Sequence, residues 1–302
     1  MGREAKKPEP GVSVEIEPGI RRIVAPNPGP MTHWGTNTYL IGHDPILVID
    51  PGPASDAHLS AVLAALGSAK VKGIAVTHAH LDHSAMAQAL AHQTGAPILG
   101  FGPPEAGRSA LMERFAKDGG IGGGEGRDAA LHPDILLADG DRVADTDLRA
   151  LHTPGHFGGH LSFQIDDIVL TGDVVMGWST TLISPPDGDV RDFLNSAWRL
   201  ASLGARRLLP GHGQPVEDPG DRLIWLIKHR LARETQVLEA LGRAPGTAKD
   251  VARLIYADLP EGLLPAATRN TLAHLLDLWD REHIAPGDGP LDHAVWAFLP
   301  KS

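Results

Sequence analysis

One run of six residues constrains this chain more than any other. His78-Ala79-His80-Leu81-Asp82-His83 places four potential metal ligands directly after the apolar stretch GIAVT at 73–77. A short apolar run of that kind reads as a buried strand. A turn at its end can point His78 and His80 to one side and Asp82 and His83 to the other. A lone His-x-His reads as a polar surface loop; HxHxDH at a strand end does not. Three further residues stand in matching contexts: His156 in HTPGH, Asp173 in LTGD and His212 in PGHG, each after an apolar strand and each with glycine beside it. Glycine lets the backbone turn sharply and come close to a site. Seven such side chains at the ends of separate strands suit a two-metal cluster, with three imidazoles on one ion, two imidazoles and a carboxylate on the other, and one carboxylate between them.

The chain has no cysteine, which excludes disulfides, thiolate sites and cysteine nucleophiles. The donors are therefore imidazole and carboxylate, a set that suits two divalent ions: zinc first, with iron or manganese also fitting. The formal charge of −10 repels polyanions, so nucleic-acid binding would need a local basic patch or the metals themselves. No apolar run reaches the roughly 18 residues that cross a bilayer. The start, MGREAKKPEPG, lacks the apolar core of a secretory signal. These features lead us to expect a cytoplasmic protein with a disordered leader over residues 1–11.

Further along, ILVID (46–50), LRALHTPGH (148–156), HLSFQI (160–165), DIVLTGD (167–173) and ARRLLPGH (205–212) read as strands. Residues 56–66, 84–93 and 190–203 read as helices. GGIGGGEGR (119–127) reads as a mobile loop at the lip of the site rather than a phosphate cradle, because no following lysine accompanies it. The composition shifts after Asp218. A long helix over 220–242, two shorter ones over 247–257 and 265–283, and a β piece near 293–299 together read as a winged-helix-like module. The expected organisation is a catalytic domain over 12–218, a connecting helix over 219–246 and the module over 247–302.

THAHLDH, HTPGH, TGD and PGHG together resemble the metallo-β-lactamase superfamily, and its glyoxalase II-type hydrolases more than its antibiotic-degrading members. The resemblance implies an α/β fold, the αββα sandwich of two packed sheets with helices outside. It implies that His78, His80 and His156 bind one metal, that Asp82, His83 and His212 bind the other, and that Asp173 bridges them. Many true β-lactamases have cysteine where this chain has Asp173, which counts against antibiotic hydrolysis. GTNTYL (35–40), GDVVMGWSTTLISPPDGD (172–189) and HRLARETQVLEAL (229–241) further resemble the β-lactamase-like protein 2 branch, which carries a C-terminal winged-helix-type domain. Where HxHxDHSGG is common in that branch, Ser84 is here followed by Ala85 and Met86.

Two divalent cations a few ångströms apart lower the pKa of a shared water, so hydroxide forms near neutral pH and hydrolysis follows. Asp82 is expected both to bind metal and to orient the proton of that hydroxide. His160, four residues after His156, is expected to bind a substrate oxygen at the mouth of the site. Asp50 is a candidate buttress for a ligand, Met176 and Trp178 are candidate pocket walls, and Thr77, Thr153 and Thr171 are candidate supports. Three functions compete. A small-molecule hydrolase acting on an ester, thioester or lactone suits the acidic charge. A nuclease cutting single-stranded RNA is implied by the closer resemblance. A non-enzymatic nucleic-acid-binding protein with a vestigial metal site is the third. Residues 247–302 hold five basic and eight acidic side chains, which argues against a sequence-specific DNA reader. The module then suits a lid, a substrate wall or a homodimer surface. The helix 220–243, with Arg222, Lys228, Arg230, Arg233 and Arg243 against three acids, is the best phosphate-contacting strip.

Overall fold

A computed structural model describes residues 7–118 and 120–299. The chain builds a seven-stranded sheet in sequence order from β1 (Val14–Glu17), β2 (Ile20–Val24), β3 (Asn37–Ile41), β4 (Ile46–Ile49), β5 (Val71–Ala75), β6 (Ile98–Gly100) and β7 (Ile135–Leu136). Four more strands, β8 (Arg149–His152), β9 (Leu161–Ile165), β10 (Ile168–Gly172) and β11 (Arg207–Pro210), form a second sheet in the order β11-β10-β9-β8. Of the leader expected over 1–11, residues 1–6 lie outside the described part, and the Gly11 amide donates to the Val24 carbonyl at 2.9 Å.

Side-chain alternation stacks these sheets. Leu47 and Ile49 of β4 point into a core shared with Phe163 of β9 and Leu170 of β10, while Ile46 and Val48 point the other way. Successive residues of a strand face opposite sides, so a strand buried on both sides reads as the continuous apolar run seen at 46–49. The outer face of the first sheet is covered by α1 (Asp56–Leu66) and by α3 (Ala87–Thr94), which follows the single-turn α2 (Leu81–Ser84). Ser55 caps α1 by accepting from the His58 amide, the usual role of serine at a helix start. The helix read over 84–93 is thus split: α2 carries Asp82 and His83, and the buried Met86 begins α3.

One helix, α4 (Ala110–Asp118), has no counterpart among the helices expected from the sequence. The outer face of the second sheet packs on α5 (Val190–Ser202), through Phe193 and Leu200, and on the first half of α6 (Pro219–Arg243), through Leu223 and Leu226. The layers are helix, sheet, sheet, helix.

The second half of α6 enters another core. Val237 and Leu241 pack with Met112 and Phe115 of α4, with Val251 of α7 (Ala248–Ile255) and with Leu272 and Leu276 of α8 (Leu264–Asp280). Thr247 and Asp250 close a reciprocal capping box at the start of α7. The wing is β12 (Ile284–Pro286) paired antiparallel with β13 (Trp296–Phe298), and Trp296 is wholly buried. Among the described residues no helix is long and apolar enough to cross a membrane.

Candidate metal centre

The strands decide where the polar side chains meet. β4 and β5 are parallel; β8 and β10, each antiparallel to β9, share a direction with β11. The segments that leave these strands therefore gather at one end of each sheet. Backbone bonds join the two ends: Leu161 N donates to Thr77 O at 2.8 Å and Asn37 N to Gly211 O at 2.7 Å.

All seven predicted side chains converge there. His78 Nε2 and His156 Nε2 lie 2.9 and 3.0 Å from His80 Nδ1. His83 Nε2 and His212 Nε2 are 3.3 Å apart, with Asp82 Oδ2 3.5 and 3.2 Å from them. Asp173 stands between the groups, Oδ2 at 3.3 Å from His212 and 3.8 Å from His156, Oδ1 at 3.4 Å from His83.

Hydrogen bonds behind the rings fix which nitrogen faces inward. His83 Nδ1 donates to Asp50 Oδ2 at 2.8 Å, His156 Nδ1 to the Leu182 carbonyl at 2.7 Å and His212 Nδ1 to the Gly35 carbonyl at 3.3 Å. Thr77 Oγ1 donates to Asp50 Oδ2 and so accepts from His78 Nδ1 at 2.9 Å. Four Nε2 atoms are thereby aimed into the cluster, each able to offer a lone pair to a cation once its proton is gone. Asp173 Oδ1 is buried without a hydrogen-bond partner. Converging lone pairs beside two carboxylates are what a pair of N/O-binding cations would satisfy. Asp50 completes the brace: it also accepts from Thr77 N at 2.7 Å, and its φ of 50° lies in a region few non-glycine residues adopt.

The charges divide in the same way. Burial, with repulsion from His156, pushes His80 down to about 3, and burial also holds His78 and His156 below the usual imidazole range. At His212 burial is outweighed by Asp173 and Asp82, which lift it to about 9; at His83 burial is outweighed by Asp82, Asp173 and Asp50. Burial would raise Asp82 and Asp173, but His83 and His212 hold both below the usual carboxylate range. Protons on His83 and His212 thus occupy the place of positive charge in the metal-free protein.

A raised histidine contributes stability that is complete below its unfolded pKa near 6.5 and lost as pH climbs through the folded value. With chelator present, the His212 contribution is expected to disappear between about pH 6.5 and 9, seen as a falling melting temperature across that window. His80 acts on the other side: stability falls as pH drops from about 6.5 towards 3. Zinc loading at pH 7.5 should expel on the order of two protons per chain, read from the buffer dependence of the calorimetric heat. Loading without proton release would overturn this charge assignment.

His160 is not at the mouth of the site, contrary to the expectation that it contacts a substrate oxygen there. The ring is wholly buried beneath the cluster, stacked on His78 with centroids 5.2 Å apart. Its Nε2 accepts from the Asp173 backbone N–H at 3.2 Å, and its Nδ1 donates to Thr153 Oγ1 at 3.0 Å. The chain turns back after His156 to enter β9, and that reversal carries His160 inward. It holds the Asp173 backbone. Thr171 braces the same turn through the Val175 carbonyl.

Other contributors carry little sequence signal. Thr36 Oγ1 donates to Asp82 Oδ2 at 3.3 Å, and Leu182 contributes only a carbonyl. His33 stacks on Trp178 with centroids 4.7 Å apart. The cluster floors a cavity of about 450 Å³ walled by Met31, Met176 and Trp178 on one side and by Tyr256, Leu259 and Leu263 of the C-terminal module on the other.

Residues 120–127 of the glycine-rich run lie at this lip as a loop, with Glu125 and Gly126 in the cavity wall. It is fastened: Arg269 of α8 donates to the carbonyls of Gly122 and Pro185 and pairs with Asp292.

Residues 31–212 match the metallo-beta-lactamase superfamily and residues 247–288 the beta-lactamase associated winged helix domain. The chain is 30% identical over 272 residues to the Beta-lactamase-like protein 2 homolog of Drosophila melanogaster, covering 86% of this chain and 87% of that one. It is 32% identical over 231 residues to the Atrochrysone carboxyl ACP thioesterase of Aspergillus fumigatus, covering 75% and 66%. A crystal structure of a metallo-beta-lactamase family protein from Thermus thermophilus matches with a TM-score of 0.75 at 27% identity, over 94% of this chain and all of that one.

Proposed function

The chain belongs to the metallo-beta-lactamase superfamily and is a metal-dependent hydrolase, and from that premise we propose that it cleaves small, uncharged esters, thioesters or lactones with two divalent cations, zinc first. His78, His80 and His156 would hold one cation and Asp82, His83 and His212 the other, with Asp173 between them. Bound there, the cations supply Lewis acidity, which makes water acidic enough to act as nucleophile near neutral pH. The chain's own residues do the rest. Asp82, reached from the cavity and held by Thr36, can take and orient a proton of the attacking water. The apolar walls exclude bulk water and seat the acyl group.

The observation that carries the substrate class is the cavity lining. Among the described residues it has no lysine or arginine, and it adds one carboxylate, Glu125, to those of the cluster. A phosphodiester chain would enter an acidic, apolar pocket. The basic strip expected on α6 is largely spent on internal bonds. Arg222 donates to the carbonyls of Met176 and Ser179, Arg230 to that of Thr181 and Arg233 to that of Ile255. The similarity to an acyl-carrier thioesterase also favours an acyl substrate.

Purified protein tested on a thioester, a lactone, a β-lactam and single-stranded RNA is expected to cleave the thioester or lactone. Chelator should abolish the activity and added zinc restore it. Chelator-sensitive cleavage of RNA, with none of the acyl substrates, would overturn the substrate class.

A further inference from the structure

Arg230 is a fully buried guanidinium on α6 with no carboxylate partner among the described residues. Burial lowers its pKa only to about 10, so it stays charged at neutral pH. A buried charge of this kind is costly unless every donor is used. Two of its nitrogens are used, by the Thr181 carbonyl and, at 3.0 Å, by Asn270 Oδ1 on α8, while its buried Nε has no partner among the described residues. Asn270 Oδ1 accepts a second bond, from Ile183 N at 3.0 Å.

The backbone on both sides of Leu182 is thus fastened to the long helix and to the winged-helix module. Leu182 O is the acceptor that fixes His156 Nδ1 at 2.7 Å. The same segment also reaches Asp173, the ligand placed between the two groups, because Thr181 Oγ1 donates to the Asp173 carbonyl at 2.9 Å.

We propose that Asn270 and Arg230 are positioning residues that couple docking of the winged-helix module to the His78–His80–His156 metal position, by holding the Leu182 carbonyl against His156. The proposal rests on the two-cation reading above. A backbone carbonyl behind a histidine sets its tautomer and aim, and loss of such a support typically weakens metal binding about 10- to 100-fold. The module is then a structural part of the metal centre and not only a wall of the cavity.

The test is a zinc titration against a chromophoric chelator, which counts the equivalents bound and their affinities. The unaltered protein tests the two-cation reading: fewer than two equivalents sinks that reading, whatever the variants do. Asn270→Leu removes the acceptor at similar volume, Asn270→Asp keeps it, and Arg230→Lys keeps the charge but loses the two-pronged reach.

Asn270→Leu and Arg230→Lys are expected to weaken one equivalent about 10- to 100-fold while Asn270→Asp retains both. Placing Asn270→Leu on two backgrounds locates the effect. On His212→Ala it should weaken the remaining tight equivalent; on His156→Ala it should change nothing. Undiminished affinity for both equivalents in Arg230→Lys and Asn270→Leu overturns the proposal. So does an equal loss at both positions, or failure of Asn270→Asp to retain them.

Discussion

Asp173→Ala is expected to lower chelator-sensitive hydrolysis by about three orders of magnitude or more, without unfolding the protein. Among the described residues Asp173 is the one carboxylate whose oxygens approach both ligand groups, at 3.3 Å from His212 and 3.8 Å from His156. Lewis-acid stabilisation of a transition state is worth several kcal/mol, and each factor of ten in rate corresponds to about 1.4 kcal/mol. Losing the alignment of both cations therefore costs about three decades. The backbone at 173 should hold, because its N–H is fixed by His160 Nε2 and its carbonyl by Thr181 Oγ1, neither of which uses the deleted side chain. Metal content, kcat/KM on the best acyl substrate and Tm should be measured together. A variant that keeps both metals and the full rate sinks the central role of Asp173. His212→Ala should behave similarly but retain more of one metal, because its ring approaches Asp82 and Asp173 and not the His78–His80–His156 group.

Much of this site is legible in the sequence because its ligands obey local rules. An apolar run is forced into a strand by the need to bury both faces, and the residues just after the run must sit at the sheet's edge. HxHxDH concentrates four ligands at one such edge, and HTPGH, TGD and PGHG repeat the signal at three others. Asp50 is legible as a buttress for the same reason, since it ends β4 beside β5.

The features that the sequence conceals depend on the third dimension. The spacing from His156 to His160 says nothing of the reversal between them, so the second ring is assigned to the mouth of the site when it lies beneath the ligand cluster. Leu182 acts through a carbonyl that every residue type has. Arg230 and Asn270 become meaningful only once α8 is docked on α6. The charge on α6 is visible in the sequence, but that the guanidiniums of Arg222, Arg230 and Arg233 are consumed by internal carbonyls is not. α4 is hidden because its apolar residues, Met112 and Phe115, serve the C-terminal core rather than that of the domain in which they lie.

The glycines beside the ligands offer a second large effect and separate chemistry from stability. A Cβ on Gly211 would lie 2.5 Å from Asp173 Oδ1 and 2.7 Å from His83 Cε1, inside the cluster itself. The room that glycine leaves there is occupied by ligands, so Gly211→Ala must push Asp173 and His83 aside. A misplacement of about 1 Å in reacting groups costs about 100-fold in rate. Gly211→Ala is therefore expected to lose about two to three orders of magnitude in hydrolysis and to retain metal poorly. The strand before it, with Leu208 and Leu209 in their cores, keeps the fold.

Gly155→Ala should behave differently. Its Cβ would meet the Phe193 backbone at 2.3 and 2.4 Å, and its φ of +136° is one that side-chain-bearing residues rarely adopt. Backbone cannot rotate away as a side chain can, so the expected result is a stability loss of about 2–4 kcal/mol, seen as a melting temperature lower by roughly 5–15 °C. If Gly211→Ala retained both metals and wild-type turnover, the close approach of the PGHG turn to the cluster would not be what that glycine is for. If Gly155→Ala lost metal at unchanged Tm, that glycine would serve the aim of His156 and not the seat of α5 against the site.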